Sequence, residues 1–232
     1  ICSDYDSSSE LFKLRYAAVG APIKLSPILF ELIYIAKVAY KDADGSFDIT
    51  VGPLSGLWRN ARKSQQFPTN AAINEARKRI GFNKVQLDSG AQTITFLHPS
   101  MQLDMGAIAK GYAADKVLAL LKSRGITTAL VDAGGDMVGA GMPPQKKGWT
   151  IGINVPGQQE KLLERKLILS NKAVATSGDA FQYLLHEGKK YGHIIDPRNG
   201  YGVTFQRNVT VVASTATTAD WLATACSILT LN

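Results

Sequence analysis

Met101-Gln-Leu-Asp-Met-Gly-Ala-Ile-Ala-Lys-Gly111 sets how the chain is read: a short strand-like run ends at Asp104, turns at Gly106 and enters a helix. From Ala107 to Leu121 the alanines, leucines and valine recur at helical spacing. Before this stretch, Lys84 to Leu87 and Thr93 to Leu97 alternate like strands around Asp88-Ser-Gly-Ala91, which predicts a hairpin. After it, Thr127 to Asp132 reads as a strand closed by Ala133-Gly-Gly-Asp136, with further strands over 149–155, 167–170 and 209–213. A last helix is expected from about Thr217. Thr176-Ser-Gly-Asp179 is expected to turn into a helix from Ala180 to Leu185, with His186 on the surface near its end.

The N-terminal third follows the same mixed pattern. Ser7-Ser-Ser-Glu10 has a serine cap and an acidic first turn, and Ser26-Pro27 opens an amphipathic helix. Phe47-Asp-Ile-Thr-Val51 is a β-branched segment expected to end at Gly52-Pro53, and Thr69-Asn70 starts a helix that runs to Ile80. Strands and helices alternate without a regular βαβ beat. The expected class is therefore α+β, with mixed sheets and flanking helices, as a single domain over residues 1–232.

The bulk properties narrow the partners. The 232 residues are 45% hydrophobic, enough for a sizeable core, and carry a net charge of +7. Apart from pairs such as Lys146-Lys147 and Lys189-Lys190 the positive residues are scattered. That favours anionic ligands generally but argues against a nucleic-acid groove. Cys2 and Cys226 stand at opposite ends and make no disulfide framework, and Cys226 reads as a small buried hydrophobe. The longest apolar run, 28–38, is broken by Glu31 and Lys37. With no signal peptide visible and Ile1 in place of an initiator Met, a mature or trimmed product is expected.

Three segments carry chemistry. A strand ending at a carboxylate and turning into a helix aims free backbone N–H groups at whatever lies above the turn, which favours anions. Lys110 can add a point charge for a phosphate oxygen and Asp104 can accept hydrogen bonds. The plainer reading is an ordinary strand–helix turn, and no Walker A order is present. In the second, Asp220 and Thr224 are four residues apart and share a helix face, offering hard oxygen donors suited to Mg²⁺ or Ca²⁺. Read alone, Thr217 with Asp220 resembles a helix cap more closely than a metal site. In the third, Tyr191-Gly-His-Ile-Ile-Asp-Pro-Arg-Asn-Gly200, His193 can serve as a base near neutral pH or simply precede a turn beside Asp196. Gly139-Ala-Gly141 runs into Met-Pro-Pro and cannot open a dinucleotide-binding helix. No Cys/His cluster suggests zinc, and no Gly-x-Ser-x-Gly elbow is present.

The order of the segments is more telling than any one of them. Asp-Gly-Ser-Phe-Asp-Ile-Thr-Val-Gly-Pro-Leu (44–54), the 103–115 stretch, Val-Asp-Ala-Gly-Gly-Asp (131–136), Thr-Ser-Gly-Asp (176–179), His-Ile-Ile-Asp-Pro-Arg-Asn-Gly (193–200) and Ala-Asp-Trp-Leu-Ala-Thr (219–224) together resemble the ApbE-type FAD:protein FMN transferases over nearly the whole chain. The resemblance implies an enzyme that cleaves FAD with Mg²⁺, attaches FMN to a threonine of an acceptor protein and releases AMP. Some relatives instead hydrolyse FAD to FMN and AMP, and a non-catalytic FAD-binding protein is the remaining alternative.

By motif position the resemblance assigns Mg²⁺ to Asp220 and Thr224 with backbone oxygens of Ala107 and Ala223. It assigns FAD contacts to Tyr5, Ser46, Phe47, Asp48, Asp104, Lys110 and Ile195, and activation of the acceptor hydroxyl to His193. It further implies acceptors among subunits of sodium-pumping quinone reductases or Rnf-type complexes. A periplasmic setting follows from it too, with membrane association only through an N-terminal lipid anchor absent from this sequence. Compared with the family pattern, the sequence starts beyond an N-terminal segment, stops soon after the Asp220 helix, and has Asn199 where threonine is common.

Overall fold

A computed structural model of the chain describes residues 1–153, 163–164, 166–178, 182–205 and 207–229. It divides into two compact units, each built from separated stretches of chain: Ile1–Met105 with Gln182–Phe205, and Gly106–Phe181 with Gln206–Asn232.

The first unit contains α1 (Glu10–Lys13), β1 (Ile23–Lys24), α2 (Pro27–Asp42), α3 (Gly52–Ser64), α4 (Asn70–Arg77), β2 (Val85–Asp88) and β3 (Thr93–Phe96). Ser26 caps α2 by accepting from the Leu29 N–H, and Glu10 in turn binds both the N–H and the hydroxyl of Ser26. The helix buries Leu29, Leu32, Ile33, Ala36 and Ala39, the spacing of one helical face. Strands β1, β3 and β2 form an antiparallel sheet in that order, with the expected hairpin in register Val85↔Phe96 to Asp88↔Thr93. Trp58 is fully buried on α3 and donates from its indole N–H to the Gly200 carbonyl at 2.8 Å. Leu54, Ile73, Leu184 and Ile195 pack around it. The returning segment 182–205 is thereby tied into this core.

Several expectations change here. Gly52-Pro53 does not close a strand; it opens α3, with proline in the first turn where its missing N–H costs nothing. The Phe47–Val51 and Met101–Asp104 segments meet through one parallel bridge, Val51↔Gln102, and an Asp104 N–H to Ile49 carbonyl bond of 2.7 Å. Gly52 is required at this approach, because a Cβ would lie 2.5 Å from the Gln102 carbonyl oxygen. The helix expected over 180–185 is absent from the part described. Tyr183–His186 is a strand, β9, paired antiparallel with β10 (Lys189–Gly192). Its exposure alternates around buried Leu184, and Glu187 and Gly188 take the left-handed conformations that a tight hairpin turn demands. His186 is half-buried and stacks on Phe67 with ring centroids 4.0 Å apart. Residues 179–181 lie outside the described part.

The second unit comprises α5 (Ala109–Ser123), β4 (Ala129–Ala133), β5 (Asp136–Ala140), β6 (Trp149–Ile151), β7 (Leu167–Leu169), β8 (Ala173–Gly178), β11 (Asn208–Ala213) and α6 (Ala216–Ile228). Strands β11, β8, β5 and β4 form an antiparallel sheet in that order. One face packs α5 and α6 through Ala114, Leu118, Val138, Ala140, Ala173, Ala175, Ala219 and Ala223. The other packs the β6–β7 pair through Val174, Met137, Ile151 and Leu169. Gly139 belongs to that second contact. A Cβ there would lie 2.8 Å from the Trp149 ring, so this glycine serves packing rather than nucleotide binding. Cys226 is half-buried rather than fully enclosed.

The small residues facing one another let α5 and α6 approach to backbone contact. At Gly111 a Cβ would sit 2.3 Å from the Ala216 carbonyl oxygen and 2.9 Å from the Asp220 Cβ. Since the first obstacle is backbone, it cannot rotate away. Gly111→Ala is expected to lower stability by ~3 kcal/mol, read as a lower denaturant midpoint at unchanged slope; an unchanged midpoint would show that the helices can part cheaply.

Candidate functional site

In the second unit, α5 begins without a side-chain cap at Ile108, so its first N–H groups look outside the helix for partners. The Gly111 N–H finds the Asp220 carboxylate on α6, at 3.0 Å. Thr224 stands one turn further along α6, its hydroxyl 3.4 Å from that of Ser177 on β8. Asp136, at the start of β5, pairs with the Lys110 ammonium and also hydrogen-bonds Asp220. Both carboxylates are buried, Asp136 at 2% exposure and Asp220 at 5%.

Burial, and then the Asp136 charge beside it, push the Asp220 carboxyl up to about 7, against the opposing pull of the Gly111 N–H and Lys110. Two buried carboxylates side by side, with a hydroxyl close by, offer the hard oxygens that a small divalent cation takes. Asp220, Asp136 and Thr224 carry oxygens of the kind such an ion takes. Ala223 fits less well: its carbonyl lies inside α6 and accepts the Ser227 hydroxyl at 2.8 Å. No group of three or more His, Cys, Asp or Glu side chains that could hold a metal exists among the described residues, so any cation here depends on hydroxyl and backbone oxygens.

The capping alternative for Thr217 and Asp220 is excluded. Thr215 caps α6 by accepting from the Thr218 N–H, and Asp115 accepts from the Ala216 N–H, the Thr217 N–H and the Thr217 hydroxyl at 2.5–2.9 Å. With the helix end satisfied twice over, Asp220 is left to face α5.

In the first unit, His193 follows β10 and is mostly buried. Its ring hydrogen-bonds the Gln182 backbone, while Nδ1 has no partner among the described residues. Burial first, and then the charge of Arg62, hold the imidazole below its ordinary pKa, although Gln182 and Asp104 oppose this. It is therefore a neutral base near pH 7. Asp196, three residues further on, is not its partner. That carboxylate is taken by the Arg198 backbone and guanidinium and by Asn199, closing the turn that Gly200 completes. The carboxylate acting on His193 is Asp104, which also lies 4.0 Å from Arg59. Arg59 pairs with Asp4 at 3.1 Å and lies over the exposed Tyr5 ring at 4.1 Å. Tyr5, Asp104 and His193 thus share one arginine-rich neighbourhood.

The Ser46-Phe47-Asp48 turn and Ile195 are placed differently. Ser46 is fully buried and donates to the Ala43 carbonyl, Phe47 is buried, and Ile195 lies in the Trp58 core. Asp48 accepts from the Thr50 N–H and hydroxyl. Among these four, the side chains that can bond are already engaged, so any ligand contact from this set falls to the backbone.

The sequence profile of the ApbE family matches residues 1–232. The chain belongs to the ApbE family. It is 34% identical to an FAD:protein FMN transferase of Klebsiella pneumoniae (strain 342), over 90% of this chain and 64% of the relative. It is 30% identical to one of Salmonella typhimurium, over 99% of this chain and 67% of the relative. Among solved structures, the ApbE protein of Thermotoga maritima superposes with TM-score 0.88 at 33% identity, covering 98% of this chain and 73% of that one. The flavinyl transferase ApbE of Pseudomonas stutzeri gives TM-score 0.86 at 29% identity, covering 97% and 70%. The chain thus spans about two thirds of the length of these curated relatives, and slightly less of the first.

Four residues of this ApbE-family chain escaped the sequence reading. Asp136 closes the quoted 131–136 run but read as the end of a strand; Asp115 ends the 103–115 stretch and drew no reading of its own. Arg59 and Arg62 sit on α3, which the reading of Gly52-Pro53 as a terminus concealed. Only their partners across the fold reveal what they do.

Asp48 yields a test of the first unit. Burial raises its carboxyl from 3.8 to about 6, despite the Thr50 hydrogen bonds and Lys84. The folded state thus holds this proton more tightly, a contribution present below pH 4 and lost as pH rises through about 6. Asp48→Asn keeps an acceptor for Thr50 and removes the titration. The stability difference between pH 4 and pH 7, read by urea unfolding, is expected to change by ~3 kcal/mol in favour of pH 7; an unchanged difference would contradict the burial argument.

Proposed function

We propose that this chain is a Mg²⁺-dependent FAD:protein FMN transferase, attaching FMN to a threonine hydroxyl of an acceptor protein and releasing AMP. The observation that carries the reading is His193: a buried imidazole kept neutral, with Nδ1 unpartnered and Asp104 and Tyr5 in its neighbourhood. A threonine hydroxyl is a weak nucleophile until a base within hydrogen-bond reach takes its proton. In this role Nδ1 accepts that proton as the hydroxyl oxygen bonds to the FMN phosphorus, and the phosphorus–oxygen bond to AMP breaks. The names carried by the relatives support the same reaction.

The second unit carries the residues proposed for Mg²⁺. Asp220, Thr224 and the Ala107 carbonyl, with Asp136 beside them, would hold Mg²⁺, and Lys110, which pairs with Asp136, would offer its charge to a phosphate oxygen. When bound, the ion neutralises negative charge that develops on the phosphates. The acceptors proposed are subunits of sodium-pumping quinone reductases or Rnf-type complexes, in a periplasmic setting. No helix among the described residues is long and apolar enough to cross a membrane.

Incubation with FAD, Mg²⁺ and an acceptor fragment is expected to give protein-linked flavin and AMP in equal amounts. Free FMN without acceptor labelling would instead identify an FAD pyrophosphatase. His193→Ala should cut transfer at least ~100-fold while FAD affinity changes little; parallel losses would make His193 a flavin contact.

Mg²⁺ binding should follow the Asp220 proton. Because the carboxyl is raised to about 7, the ion competes with a proton below that pH. Calorimetry is expected to show affinity falling about tenfold per pH unit below neutrality and levelling above it. Asp220→Asn should abolish the binding, and unaltered affinity in that variant would remove Asp220 from the metal site.

A further inference from the structure

Among the described residues, three buried side-chain polar atoms lack a hydrogen-bond partner: Arg15 Nε, Arg62 Nη1 and His193 Nδ1. Two of the three belong to one cluster in the first unit. The Arg62 charge acts on His193, and Arg59 and Tyr5 act on Arg62. The nearby carboxylates do not serve Arg62 among the described ion pairs. Asp4 is held by Arg59 at 3.1 Å, and Asp104 faces the same Arg59 at 4.0 Å. Arg62 is thus half-buried beside a like charge, with one guanidinium nitrogen enclosed and unspent. Such a nitrogen is costly to leave unmade, and an anion that arrives with its own charge satisfies it.

The reaction chemistry says which anion. A base takes a hydroxyl proton across about 3 Å, and that hydroxyl oxygen stands about 3–3.5 Å from the atom it attacks. The phosphorus under attack is therefore within about 7 Å of His193 Nδ1, in reach of a long side chain next to the imidazole. We propose that Arg62 binds a phosphate oxygen of the flavin nucleotide beside His193, an assignment that rests on the transferase reading for the role of His193. In the step itself the acceptor oxygen–phosphorus bond forms and the proton passes to His193. The bond from phosphorus to the AMP oxygen breaks, and its electron pair leaves with AMP. The guanidinium neither gains nor loses a proton; it holds the phosphoryl oxygens while charge builds on them. Its charge also favours the neutral imidazole, the form that can accept the proton.

The test compares FMN, FAD and riboflavin, which lacks the phosphate, binding to the wild-type protein and to Arg62→Met and Arg62→Lys. Arg62→Met is expected to weaken FMN and FAD by about ten- to a hundredfold while riboflavin affinity holds, so riboflavin doubles as the control for folding. Arg62→Lys, which keeps the charge, should lose less. In the pH–rate profile, Arg62→Met should move the acidic limb to higher pH, because losing the neighbouring positive charge raises the His193 pKa; a purely structural role would leave the limb in place. Equal losses for FMN and riboflavin, or no loss for FMN, would overturn the assignment. A wild-type protein that transfers no flavin yet shows the phosphate-dependent loss would refute the transferase reading and leave Arg62 as a phosphate ligand.

Discussion

The hydrogen bond from the Gly111 N–H to the Asp220 carboxylate is the contact on which the second unit's chemistry depends. It exists because Gly111 has no Cβ, so that α6 can lay the Ala216 carbonyl and the Asp220 side chain directly against α5. The same approach brings Asp115 to the start of α6, where it satisfies the amides that Asp220 would otherwise be drawn to cap. Freed from its own helix end, Asp220 reaches across to a neighbouring one and meets Asp136. One missing methyl group thereby decides whether this aspartate can reach across to the neighbouring helix.

Burial does opposite work in the two units. It raises Asp220, where a second carboxylate makes the charged form still harder to hold. It lowers His193, where Arg62 adds to the effect, and so favours the neutral imidazole. Neither residue is shifted by a special chemical group. Each is an ordinary side chain removed from water beside a charge of its own sign or the sign it would acquire.

Local patterning made much of the secondary structure legible. Ser26-Pro27, Thr69-Asn70 and the 84–97 alternation declare themselves because caps, proline and hairpin turns act over a few residues. Where the local signal had two solutions, the reading failed. Gly52-Pro53 can end a strand or start a helix, and only the close Gln102 backbone selects the second. Tyr183-Leu-Leu-His186 is short enough to read as helix or strand, and pairing with Lys189–Gly192 settles it.

The sequence by itself determined the α+β class, the capped helix starts at Ser26 and Thr69, and the family, because periodicity, caps and the order of six motifs are written along the chain. Its individual site residues were visible as types and spacings only. The tertiary structure alone decided that Asp136 joins Asp220, that Asp196 serves its own turn while Asp104 acts on His193, and that one buried nitrogen of Arg62 has no partner among the described residues. Those are facts of burial and of long-range approach. Desolvation, unlike a turn or a cap, has no signature in the residues that flank the group it changes.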